Sequence, residues 1–119
     1  MPRQITRNII VGDGDGMIRL TIKIGDGQDG AAAIWVDDEL ISKGGGAKMK
    51  SIKLGKASDL VGKVIQVDVG ILHVQQTVHS SATYVFTGVE GDSEFQTDGD
   101  FEEEDVLLRH RGIFKPSKE

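Results

Sequence analysis

A chain of 119 residues with 38% hydrophobic and 28% charged side chains is sized for one domain around one core. Its formal net charge of −5, with no basic stripe, argues against a nucleic-acid partner. Having no cysteine, it lacks disulfides, thiol nucleophiles and cysteine-based zinc sites. No apolar run approaches the roughly 20 residues of a membrane span, and the first residues lack the apolar stretch of a secretory signal. The expected location is the cytoplasm, or export without a classical signal peptide.

Period-two alternation runs through the chain. In "QITRNIIV", Ile5, Ile9 and Val11 share a face. In "MIRLTIKI", Ile18, Leu20, Ile22 and Ile24 share another, with Met17, Arg19, Thr21 and Lys23 opposite. "GDGDG" between them suits a hairpin loop, because glycine and aspartate tolerate positive φ. "AAAIWVDDELI" predicts a third strand with Ile34 and Val36 inward, then a tight turn into a short fourth. "SKGGGAKMK" reads as a flexible connection, and "KSIKL" places Ile52 and Leu54 together.

"GKASDLVGK" is a loop with one helical turn from Ser58. "VIQVDVGILHV" follows as a long strand with Ile65, Val67, Val69 and Ile71 inward. "SATYVFTG" is expected to pair with it through a hairpin tip "VQQTVH", turning Ala82, Tyr84 and Phe86 inward. "EGDSEFQTDGDFEEED" reads as a long solvated loop around a weak strand at Glu94 to Thr97, and "VLLRHRGIF" as the last strand. The result is an all-β, single-domain antiparallel β-sandwich of eight or nine strands, immunoglobulin-like or C2-like, over residues 1–114, with 115–119 a flexible tail.

Three groups of residues carry a resemblance: Gly25, Gly27 and Gln28; Ser58, Asp59, Leu60, Gly62 and Lys63; and Thr83, Tyr84, Phe86, Thr87 and Gly88. Together they resemble a group of small bacterial β-sandwich proteins with a Gly-x-Gly-Gln segment, an Asp-Leu-x-Gly-Lys loop and a Thr-Tyr-x-Phe-Thr-Gly strand end. The resemblance spans about residues 20 to 88. It implies the fold and transfers no catalytic residue. Such relatives have a polar hairpin tip, whereas here Leu72, Val74 and Val78 make it apolar, as an acquired contact surface would be.

Asp13, Asp15, Asp26 and Asp29 are of the right type for calcium, and the competing reading is plain β-turn chemistry. The block Glu102, Glu103, Glu104 and Asp105 is expected to be solvated or to face a basic partner. His73, His79 and His110 are too dispersed for a metal motif. Ser80 and Ser81 lie near His79 in sequence, which by itself makes no triad.

Trp35, flanked by the inward Ile34 and Val36, should point outward, as a binding aromatic does. The expected function is a non-enzymatic binding or assembly module acting through Trp35, Leu72, Val74 and Val78, with a protein partner or a second copy. The alternative is a carbohydrate-binding module, with or without calcium, built on Trp35 and the Asp-Gly loops. The third reading is a hydrolase assembled only in the fold.

Overall fold

A computed structural model describes residues 3–12, 14, 16–73, 78–102 and 106–118. In chain order the strands are β1 (Gln4–Val11), β2 (Met17–Ile24), β3 (Asp29–Val36), β4 (Glu39–Gly45) and β5 (Lys48–Lys56). A single helical turn, α1 (Ala57–Leu60), follows. Then come β6 (Ile65–Leu72), β7 (His79–Thr87), β8 (Val89–Glu90), β9 (Glu94–Asp100) and β10 (Leu107–Ser117).

They make two packed sheets, one of six strands in the order β4-β3-β6-β10-β1-β8 and one of four in the order β5-β2-β7-β9. Alternate side chains of every long strand except β4 turn into the space between the sheets. There Ile9, Ile18, Leu20, Ile22, Ile34, Ile65, Val67 and Ile71 are fully buried. Phe114 anchors the aromatic part of this core, with Phe86 at 4.8 Å, Phe95 at 5.4 Å and Tyr84 at 5.5 Å between ring centres.

The alternation thus places the inward residues as expected. Pairing differs from expectation in several places, and the described residues form ten strands rather than eight or nine. β1 and β2 are not a hairpin, since β1 belongs to the larger sheet and β2 to the smaller. The same holds for β6 and β7. A hairpin turn and a crossing between sheets draw on the same turn residues, so the local pattern cannot separate them.

Both Gly-Asp-Gly runs are such crossings. In the first, the carbonyls of Gly14 and Gly16 accept from the Ser58 and Ala57 amides, which fills the open donors at the start of α1. In the second, Asp26 and Gly27 both take positive φ, and Gln28 N–H donates to Gly25 O.

"SKGGGAKMK" is no loose connection. Its residues continue β4 and begin β5, with Gly46 (φ 111°) in the turn and Met49 buried. β9 outruns the expected weak strand and reaches Asp100, with Thr97 and Asp98 buried. β10 continues through Lys115, Pro116 and Ser117, which were read from sequence as the start of the tail. It pairs in parallel with β1, from Gln4 opposite Arg111 to Ile10 opposite Ser117, so the sandwich is not wholly antiparallel. The β3–β4 turn follows the sequence reading: Asp37 and Asp38 take φ of 47° and 69°, as a tight two-residue hairpin requires.

Candidate functional site

The outward face of the six-stranded sheet carries a trough of about 1040 Å³. Register explains it. Ala33 on β3 lies between Lys43 on β4 and Asp68 on β6, and Asp68 faces Arg111 on β10. One row along, Ala31 lies between Gly45 and Gly70, and Gly70 faces Arg109. The two middle strands therefore present only Ala31, Ala33 and Gly70 beside Asp68, while longer side chains rise from the strands on either side. From β4 to β10 is three strand spacings, about 14 Å.

The walls are cationic. Lys43 stands on one side and Arg109 and Arg111 on the other, with Arg3 and Gln4 beyond them. Arg111 Nε donates to Asp68 Oδ1 at 2.6 Å, and Gln66 Nε2 donates to Asp68 Oδ2 at 3.0 Å. The one carboxylate on the floor is thus already engaged. Among the described residues no carboxylate lies within 4.0 Å of the Lys43 or Arg109 charge. Asp100 and Glu102 line a smaller hollow shared with Arg3 and Arg109. At one end Leu107 closes the trough by leaning over Gly70, where an added Cβ would stand 3.2 Å from Leu107 Cδ1.

The residues expected from sequence fall at the two ends of this face. Leu72 lies opposite Leu107 across the β6–β10 ladder, and both are exposed. Val78 and Val106 are also exposed. Val106 O accepts from His73 N–H and Val78 O accepts from Phe101 N–H, while His73 stacks on Phe101 at 4.2 Å. The apolar tip is therefore continuous with the trough through Leu107. Val74 lies outside the described residues.

Trp35 is on the outward register, half-buried, between Leu40 and Gln66. It stands at the opposite end of β3 from the tip, six residues and about 20 Å away. Asp37, beside it, accepts from Val64 N–H at 2.8 Å and serves the turn.

Of the proposed calcium ligands, Asp26 accepts from Ser81 Oγ at 3.2 Å and Asp29 accepts from Gly30 N–H at 2.8 Å. Asp13 and Asp15 lie outside the described residues. Among the described residues no group of three or more histidines and carboxylates is arranged to hold a metal ion.

Two histidines have definite electrostatic roles. On the outward face of the smaller sheet, His79 Nδ1 meets Asp100 Oδ1 at 3.1 Å and Nε2 meets Asp98 Oδ1 at 3.0 Å, with Asp26 at 3.8 Å. Both ring nitrogens face carboxylates, so the doubly protonated ring fits best. The hydrogen bond to Asp100 raises the His79 pKa most, opposed by partial burial and helped by Asp98 and Asp26.

A raised folded-state value gives stability that is complete below the unfolded value of about 6.5 and is lost as pH climbs through the folded one. Replacing His79 by Gln should therefore cost more stability at pH 6 than at pH 8 in urea titrations. Because the side chain is partly exposed, the loss should stay below about 1 kcal/mol. An equal loss at both pH values would contradict this account.

His110 lies in the core. Ser80 Oγ donates to Gly99 O at 2.7 Å, so toward His110 it must accept, from Nε2–H at 2.9 Å. Nδ1 then accepts from Thr97 Oγ1 at 2.7 Å, and Thr97 accepts from Tyr84 OH at 3.1 Å. One neutral tautomer satisfies the whole chain. It resembles a serine–histidine dyad in distance and opposes it in direction, because Ser80 keeps its proton on a carbonyl. Ser80 and His110 are 0% and 1% exposed. This pair holds the two sheets together and offers no activated nucleophile.

Comparison with family models, with curated proteins and with solved structures finds no match.

Proposed function

We propose that the protein is a non-enzymatic binding module that acts through the outward face of its six-stranded sheet, by docking to a larger protein or by self-association. The observation that carries this reading is the trough, whose floor of small side chains lies between long charged walls and runs into an exposed apolar end. A partner seated there covers Leu72 and Leu107 and gains apolar burial at roughly 25 cal/mol per Å². The neighbouring edge strand β4, with Leu40 and Ile41 exposed, adds unpaired backbone groups along the same side.

A photocrosslinking side chain placed at Ala33 tests the reading. It should join the protein to another polypeptide, whether a second copy or a partner. The same group at Thr21, on the outward face of the other sheet, should not. Equal yields at the two positions, or none at either, would remove the trough from consideration.

A second reading, carbohydrate binding, draws support from one feature. Trp35 stands directly beside Gln66, which is held by the Asp68–Arg111 pair, giving a ring next to fixed polar groups. A change in tryptophan fluorescence on adding neutral oligosaccharides would favour it, and Trp35 is the only tryptophan.

A further inference from the structure

We infer that the occupant of the trough is an extended acidic peptide segment of a partner protein. This rests on the docking function proposed above and adds the chemistry of the partner.

Charge is the first argument. In a chain of net charge −5, the walls of this one trough carry Lys43, Arg109 and Arg111, with Arg3 beyond. Asp68 offsets Arg111, and Asp100 and Glu102 lie near Arg3 and Arg109 on the far side. Lys43 and Arg109 remain on opposite sides of the floor, one row apart, without an ion-pair partner among the described residues. Two opposed cations call for carboxylates on both edges of whatever lies between them.

Shape is the second argument. The floor of Ala31, Ala33 and Gly70 is apolar and shallow, so it accommodates a backbone and small side chains. A width of about 14 Å suits one extended chain with its side chains. From Asp68 to Leu72 the trough runs about four residues, roughly 13 Å, which matches about four residues of extended peptide.

Other polyanions fit less well. An acidic glycan gains from stacking its rings on an aromatic face, and no aromatic side chain lines the trough among the described residues. A nucleic-acid strand would have no aromatic face in the trough on which to stack its bases.

The test uses the full chain and fluorescence anisotropy with a labelled peptide of alternating Glu and Ala. Binding should weaken with added salt. The double variant Lys43→Glu, Arg109→Glu should reduce affinity at least about tenfold while keeping the wild-type circular dichroism and melting. An alternating Lys and Ala peptide should not bind.

Equal affinity of wild type and charge variant, tighter binding of polygalacturonate or of a single-stranded oligonucleotide, or no binding of the acidic peptide would each overturn the inference. The variant Ala33→Trp, which fills the floor, separates the two levels. If it abolishes peptide binding and the charge variant does not, docking stands and the acidic partner falls. If neither variant changes binding of the peptide, the trough is not the site and both fall.

Discussion

Lowering the pH from 7 to 4 should cost the protein about 3 kcal/mol through His110 alone. Burial pushes the pKa of this imidazole down to about 4, helped by the positive charges of Arg3 and His79 and opposed by Asp98. In the unfolded chain the ring takes a proton near pH 6.5, while in the folded chain it stays neutral until about pH 4. Between those values the unfolded state binds more protons, so stability falls as pH falls and levels off below about 4.

The hydrogen-bond chain agrees with this direction, since Nδ1 already accepts from Thr97 Oγ1. Urea unfolding of wild type and of His110→Gln across this range isolates the effect. The difference in stability between the two should move by about 3 kcal/mol in favour of the variant on going from pH 7 to 4, enough to reverse its sign. At pH 7 the variant should itself be less stable by about 2 kcal/mol, because Ser80 and Thr97 lose buried partners. Parallel pH profiles would show that His110 is not held neutral. His79 works with the opposite sign on the other side of β7, so the two imidazoles oppose each other in the wild-type profile.

The other large effect is steric. Gly30 begins the buried register of β3, and a Cβ there would fall on the carbonyl oxygen of Gly70 and within 2.8 Å of Ile24 Cδ1. The obstacle is backbone and cannot rotate away, so the β3–β6 ladder must separate locally. Gly30→Ala should therefore cost about 3 kcal/mol, at the upper end of overpacking penalties, and Gly30→Val more. Gly44→Ala, on the exposed edge strand, meets nothing closer than 3.9 Å and should be close to neutral. Melting temperatures of the two alanine variants make the comparison, and similar values would refute the steric account.

Which residues turn inward was legible because burial leaves a period of two in each strand. Ile18 to Ile24 and Ile65 to Ile71 show this most plainly. His110 shares its parity with Leu108 and Phe114, so its place in the core was also written there, although nothing local names Ser80 or Thr97 as its partners. Which strands neighbour one another was not legible. "GDGDG" and "VQQTVH" carry turn signals that serve a hairpin or a crossing equally well, and the choice depends on sheets assembled from distant segments.

The trough was hidden for the same reason. Outward Arg109 and Arg111 can be read from β10, and outward Ala31 and Ala33 from β3. That they flank one floor follows only from the β3-β6-β10 order. Trp35 and Leu72, both on the outward register, sit at opposite ends of one surface.

The parallel pairing of β1 with β10 bears on how the chain acquires its shape. β10 is the last of these strands to be synthesised, yet it lies inside the larger sheet between β6 and β1. Until it leaves the ribosome, both of those neighbours present vacant edges, and β1 waits on a contact more than 100 residues downstream. Closing so large a loop is slow, and little of the larger sheet can be locked before translation has passed β10. A nascent form of this protein is thus a set of unfilled strand edges until β10 inserts.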